Sequence, residues 1–226
     1  MKKIISCILS ALLVFALLFS SSAFADSNGE AWFSEIKNSV IDSFNGADVR
    51  LNEDVKIKIK ADGLSKTESV ATKAASVILK INTEGEPKLL GFSVKCLGIN
   101  LLSGSLDWDQ DGSLGIYVPR LSRSYYKLTP ELAEQLLSEA AAEMGFSSWS
   151  QASEWIKSLT MQQTIDMASQ ELGTDLSGVR LTASVTYPSS AELPNSQPVS
   201  VATMGELNIV LNSISNSLPA MIAELF

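Results

Sequence analysis

The stretch with the clearest chemical pattern is Asp107–Gly112 (DWDQDG), in which three aspartates alternate with other residues and a glycine follows. Its residues match positions 1, 3, 5 and 6 of an EF-hand loop, whose carboxylate oxygens suit the hard Ca²⁺ ion. Position 12 of such a loop is a glutamate, and here it is Val118. The pattern therefore predicts either a calcium site at Asp107, Asp109 and Asp111 or an acidic hairpin turn that faces solvent.

Common catalytic sites are excluded because the sequence contains no histidine. Ser-His-Asp and Cys-His catalysis, and histidine-ligated zinc or iron sites, all need an imidazole. Cys7 lies in the N-terminal apolar stretch, and Cys96 lies at an apolar position of a predicted strand. A thiolate metal site is therefore not expected. We predict a protein that is not an enzyme and has no cofactor, apart from calcium if the acidic loop binds it.

Residues 1–25 have the features of a secretory signal peptide. Two lysines precede the apolar run Ile4–Phe19, and Ala23-Phe24-Ala25 fits a small-x-small cleavage site. The run is short for a membrane span of ~20 residues. We expect cleavage after Ala25, a single domain over 26–226, and a periplasmic, extracytoplasmic or secreted location. The processed protein is not expected to be an integral membrane protein.

The overall charge excludes nucleic acid as an expected partner. The net charge is −8, and the signal peptide contains two of the lysines. A binder of nucleic acid needs a basic patch to offset such a balance. The best candidate is the row of Lys56, Lys58 and Lys60, which we interpret as the solvated face of a strand that discourages edge pairing.

The first half of the chain is predicted to be a sheet. Over residues 49–61 the odd positions are apolar, apart from Glu53, and the even positions are polar, which is typical of an antiparallel strand with one solvated face. Further strands are predicted at 71–82 and 90–102. The apolar phase changes at Leu97-Gly98, and this change predicts a β-bulge that curves the sheet.

The acidic stretch itself is predicted to be the turn of a β-hairpin. The apolar faces on its two sides match only if Trp108 pairs with Leu114. This pairing leaves the three-residue loop 110–112, which requires a left-handed residue at its third position, and Gly112 occupies that position.

Apolar spacing and capping residues predict helices before and after these strands. Together with later strands at 179–187 and 199–203, they predict an α+β fold. In this fold a curved antiparallel sheet, a meander or half-barrel, packs against an N-terminal helix, an inserted helical segment and a C-terminal helix. The predicted helices are 30–44, an insert of about 129–173 whose starts are marked by Thr129-Pro130, Ser148 and Thr160, and 207–225.

The segment Gly104–Leu128, especially its residues 105–128 (SLDWDQDGSLGIYVPRLSRSYYKL), resembles the half-barrel bacterial lipoprotein carriers and related lipid-binding lipoproteins of the cell envelope. The resemblance implies a concave sheet covered by helices, with an apolar cleft for acyl chains. Alternation alone does not distinguish such a cleft from a filled core. The residues that would line it are Leu51, Val55, Ile57, Leu79, Phe92, Val94, Trp108 and Ile116.

Two functions follow as hypotheses. In the first, the exported protein binds a lipid or another hydrophobic small molecule in the cleft. In the second, it is a secreted interaction or structural module that contacts a cell-envelope protein and carries the acidic, calcium-binding hairpin. Exposed side chains at Trp149, Trp155, Tyr125 and Tyr126 would favour the second hypothesis, because exposed aromatics are typical of protein interfaces.

Overall fold

The computed structural model describes residues 27–61, 76–96, 99–120, 122–172 and 179–212. Within these residues the fold is mixed α+β, as predicted. The elements in chain order are α1 (Ser27–Phe44), β1 (Asn52–Ala61), β2 (Ser76–Asn82), β3 (Lys88–Cys96), β4 (Ile99–Trp108), β5 (Leu114–Tyr117), β6 (Tyr125–Leu128), α2 (Pro130–Glu143), α3 (Trp149–Ser158), α4 (Met161–Leu172), β7 (Val179–Thr186), β8 (Pro198–Val201) and α5 (204–212).

The strands form one open sheet in the order β7-β1-β2-β3-β4-β5-β6-β8. Strands β3 to β6 form an antiparallel meander, which confirms the predicted antiparallel sheet. Strand β8 pairs in parallel with β6, with Tyr126 opposite Val199 and Leu128 opposite Val201. The short strand β8 is therefore an edge strand, and it begins at Pro198, a residue that discourages further pairing at an edge.

The predicted hairpin is confirmed in detail. Trp108 pairs with Leu114, and the backbone N–H of Asp109 donates to the carbonyl of Ser113 at 3.2 Å. Gly112 has a φ of 87°, in the left-handed region where glycine meets no steric penalty. The three-residue loop therefore follows from local turn chemistry and from the matching of the two faces.

The prediction that 90–102 is one strand with a bulge at Leu97-Gly98 was wrong. Those two residues lie outside the described ones, but β3 ends at Cys96, and Ile99 begins an antiparallel partner that pairs back onto it. A reversal of the chain resets the apolar alternation just as a bulge does, so the phase change could not distinguish them. The register does shift nearby, between Val94 and Lys95.

The predicted helix starts are confirmed where their side chains are described. The hydroxyl of Ser148 accepts from the N–H of Gln151 at 3.3 Å. Thr160 and Gln163 form a reciprocal capping box, with distances of 2.8 and 3.2 Å. These contacts satisfy backbone donors that the first helical turn leaves unpaired.

The protein consists of two compact units, each with more contacts within itself than to the other. The first comprises Met1–Val49, Lys56–Val77 and Leu137–Ser184. Within it, the buried ammonium of Lys37 donates to the carbonyls of Lys157 at 2.9 Å and Leu159 at 2.6 Å, at the C-terminal end of α3. A cation at this end of a helix is favourable, although burial lowers the pKa of Lys37 to about 8.

The second unit comprises Arg50–Val55, Ile78–Leu136 and Val185–Phe226. Its core joins the sheet to the first turns of α2 and α5. Partly buried apolar residues pack around that core, among them Ile116 and Leu211. The fully buried members are Leu128, Leu132, Val201 and Leu207.

Across the described parts of the chain, every helix is too short or too polar to pass through a bilayer.

Candidate functional site: the two faces of strands β3 to β6

The register of strands β3 to β6 assigns their side chains to two opposite faces. On one face, Trp108 pairs with Leu114, and Leu114 pairs with Leu128. One residue further along, Asp107 pairs with Gly115, and Gly115 pairs with Lys127. Since successive side chains of a strand point to opposite sides, the first row lies on an apolar face and the second on a polar face.

The polar face is centred on Asp107, whose side chain is fully buried. The hydroxyl of Tyr125 donates to its two carboxylate oxygens, at 2.9 Å each. The ammonium of Lys127 donates to Oδ1 at 2.7 Å. A buried carboxylate is tolerated when it is paired and hydrogen-bonded in this way.

Gly115 provides the space that this arrangement needs. Asp107 lies on β4 and its partners lie on β6, so the carboxylate must cross the intervening strand β5. A Cβ atom at position 115 would overlap the Asp107 carboxylate. Gly115 is therefore required by close approach of a side chain, one of the recurrent uses of glycine within a strand. We call Asp107, Gly115, Tyr125 and Lys127 the polar cluster.

The other two loop aspartates have different partners. Lys127 also contacts Asp109, with 2.8 Å between Nζ and Oδ2, and the Ser113 hydroxyl donates to the same oxygen at 3.0 Å. The carboxylate of Asp111 accepts from the backbone N–H of Ser113 at 2.8 Å. The ammonium of Lys127 thus stands between Asp107 and Asp109, where the predicted calcium ion would bind. This arrangement does not fit the calcium site, which stays a prediction.

The polar cluster shifts the pKa values of its two donors. Burial, with the hydrogen bond and charge of Asp107, raises the pKa of Tyr125 to about 12. Burial by itself would lower the pKa of Lys127, but the hydrogen bonds to Asp107 and Asp109 outweigh it and raise that pKa above its ordinary value. At neutral pH the cluster therefore holds a neutral phenol and a charged ammonium.

By burial, the eight residues predicted to line a cleft fall into two groups. Val55, Ile57, Leu79 and Trp108 are fully buried, with at most 4% of their surface exposed. The other four, Leu51, Phe92, Val94 and Ile116, remain half-buried.

The register brings Phe92, Val94, Trp108 and Ile116 onto one face. Phe92 pairs with Gly104, Val94 with Leu102, and Ile116 with Leu106. Phe92 lies over Gly104, where a Cβ atom would come within 2.8 Å of its ring. We call Phe92, Val94, Leu102, Leu106 and Ile116 the apolar strip; each of its side chains is half-buried.

Sequence reasoning missed Lys127 and Tyr125 as partners of the loop aspartates. Gly115 offered a signal, because a glycine inside an alternating strand often marks the close approach of another group. Extending the face alternation from Asp107 across β5 to β6 would have located both partners.

The four aromatic side chains whose exposure would favour an interaction module are buried or half-buried. Tyr125 is buried in the polar cluster, and Tyr126 is half-buried. Trp149 is half-buried, packs edge-on against Phe44, and donates from its indole N–H to Asn45 Oδ1 at 3.0 Å. Trp155 is also half-buried and packs against Phe146. Because these side chains have the same degree of burial as the apolar strip, their burial does not distinguish the two hypotheses.

No family model, no curated protein and no solved structure matches this chain.

Proposed function

We propose that this is an exported, non-enzymatic protein that binds an elongated apolar ligand, such as a lipid acyl chain, along the apolar strip. One observation carries the proposal: five large or branched apolar positions on three adjacent strands share one face and stay half-buried. Contiguous apolar surface that a folded chain leaves partly open is typical of ligand and partner sites.

Helices cover the neighbouring part of the same face. Leu132 of α2 and Leu207 of α5 belong to the core formed with Leu128 and Val201, and Ile116 packs against that core. By the strand order, β4 and β3 lie progressively further from β6. The apolar strip therefore extends from the covered part of the sheet toward strands on which Phe92 and Val94 remain accessible.

Burial of this strip against a ligand supplies a favourable free energy. Each Å² of apolar surface removed from water contributes roughly 25 cal/mol. An acyl chain is apolar along its whole length and can contact several strands, so it gains more from such a strip than a compact polar molecule does.

A binding experiment tests this proposal directly. We expect the purified protein to bind a fluorescent long-chain fatty acid analogue, and unlabelled fatty acid to displace it. Val94→Glu places a charge in the strip, and we expect it to weaken binding by about tenfold or more, because burial of an unpaired charge is costly.

Ile209→Glu provides the matched control. Ile209 lies on α5 with 71% of its surface exposed, so its substitution should leave affinity unchanged. Absence of binding to the unaltered protein, with only the ligand-free mass seen by native mass spectrometry, would refute the proposed function. Equal effects of the two substitutions would place the ligand elsewhere.

The proposal of export rests on residues 1–25, with their two lysines, apolar run and Ala23-Phe24-Ala25 site. Expression of the full chain in a bacterium, followed by mass spectrometry of the extracytoplasmic fraction, tests it. We expect a mature protein that begins at Asp26. Recovery of only the intact chain from the cytoplasm would contradict export.

A further inference from the structure

The loop between β5 and β6 lies at the same end of the meander as Val94 and Leu102. Along the meander, Lys88 pairs with Trp108 at one end, and Val94 pairs with Leu102 toward the other. The last pair between β4 and β5 is Ser105 with Tyr117. The chain therefore leaves β5 toward the end of the sheet where Leu102 and Val94 lie.

This loop is positively charged in an otherwise acidic chain. No aspartate or glutamate occurs from Gly112 to Pro130, although the whole chain contains 25 acidic and 17 basic residues. Three cations fall within that stretch. Lys127 is paired with Asp107 and Asp109, so Arg120 and Arg123 carry the remaining charge.

Both arginines are available for an external anion. Each is exposed, and within the described part of the chain neither guanidinium makes an ion pair or a hydrogen bond to another residue. The loop that carries them is held by its own contacts. The N–H of Ser122 donates to the carbonyl of Val118 at 2.9 Å, and its hydroxyl lies 2.9 Å from that of Tyr126.

We propose that the ligand is a long-chain carboxylate, whose acyl chain lies on the apolar strip and whose head group is bound by Arg120 and Arg123. This inference rests on the proposed function and names its ligand class. A guanidinium matches a carboxylate through two parallel hydrogen bonds, which gives geometric selectivity beyond simple charge attraction. The exposed position makes the attraction sensitive to salt.

The experiment compares palmitate with methyl palmitate, which has the same acyl chain but no charge. Each competes with a fluorescent fatty acid analogue for the protein and for the Arg120→Gln/Arg123→Gln variant. We expect the unaltered protein to prefer palmitate by about tenfold or more, since charged hydrogen bonds are the stronger class. The variant should lose that preference while its affinity for the ester stays unchanged.

Lys56→Gln/Lys58→Gln is the charge-matched control, because it removes two exposed lysines of β1. It should keep the preference for palmitate. Raising the salt concentration should reduce the preference of the unaltered protein and leave its affinity for the ester almost constant.

The outcomes separate this inference from the proposed function. Binding of neither compound refutes both. Equal binding of acid and ester by the unaltered protein refutes the carboxylate while acyl binding stands. A preference that persists in the arginine variant, or that disappears equally in the lysine control, refutes the role of Arg120 and Arg123. Anionic phospholipid, supplied as vesicles, is the last competitor. If it binds more tightly than palmitate, the ligand is not a long-chain carboxylate.

Discussion

On both faces of strands β3 to β6, some residues depart from the burial that their polarity would suggest. An antiparallel sheet commonly buries its apolar face and exposes its polar one. Here Asp107, on the polar face, is fully buried, while Phe92 and Val94 on the apolar face remain half-buried. The difference shows that a polar group is buried readily once its hydrogen bonds are satisfied, and that apolar character alone does not close a surface.

The two faces also differ in how specific their contacts are. The polar cluster requires particular atoms at particular positions: a phenol, an ammonium and a glycine around one carboxylate. The apolar strip requires only shape and hydrophobicity, which many side chains supply. We therefore expect substitutions on the polar face to change stability, and substitutions on the apolar strip to change ligand affinity.

The largest loss in the free energy of unfolding is expected for Asp107→Ala. This substitution leaves the Tyr125 hydroxyl without its acceptor and the Lys127 ammonium without its more buried one, and breaking such a buried pair costs about 3–5 kcal/mol. Urea unfolding monitored by Trp fluorescence measures the loss. Asp111→Ala, at an exposed position of the same loop, is the control and should cost much less. If both substitutions lower the free energy of unfolding equally, the buried contacts of Asp107 do not stabilise the fold more than the exposed loop contact of Asp111 does.

Gly115→Ala is expected to have the next largest effect, about 1–3 kcal/mol, because the added methyl group overlaps the Asp107 carboxylate. The cost should shrink in the Asp107→Ala background, where the carboxylate is gone, so the double-mutant cycle should show strong coupling. Gly85→Ala meets nothing within 4 Å and should be nearly neutral. Simple additivity of the Asp107 and Gly115 substitutions would contradict the proposed packing.

Raising the pH above 9 should lower the free energy of unfolding gradually, through the polar cluster. The pKa values of Tyr125 and Lys127 are both raised in the folded protein, so their contribution is complete below their unfolded values near 10. It is lost as pH rises toward the folded value of about 12 for Tyr125. Unfolding free energy measured from pH 9 to 11.5 should fall. Tyr125→Phe should flatten this slope, and Tyr126→Phe should preserve it; no difference between the two would argue against the shift at Tyr125.

The smallest expected effect is that of calcium. Because Lys127 bridges Asp107 and Asp109, we expect millimolar calcium to change the Tm little. Thermal unfolding with calcium or with a chelator measures this. A clear rise in Tm that Asp109→Ala abolishes would show that the acidic hairpin binds calcium despite the ammonium.

Local features of this fold could be predicted from the sequence because they depend on neighbouring residues. The Trp108–Leu114 pairing and the left-handed Gly112 follow from alternation and turn chemistry. The capping box at Thr160 follows from its spacing to Gln163. The reversal after Cys96 could not be predicted, because a turn and a bulge leave the same change of phase.

The sequence by itself therefore determined the antiparallel class of the sheet, the acidic turn and the identity of the apolar face, but not the division of 90–102 into two strands. Only the tertiary structure decided which apolar residues are enclosed, and it separated Trp108 from Val94 although both have the same alternation. It also paired Asp107 with Tyr125 and Lys127, 18 and 20 residues away. The physical reason is that alternation fixes the direction of a side chain, whereas burial and charge pairing depend on which strand or helix lies opposite.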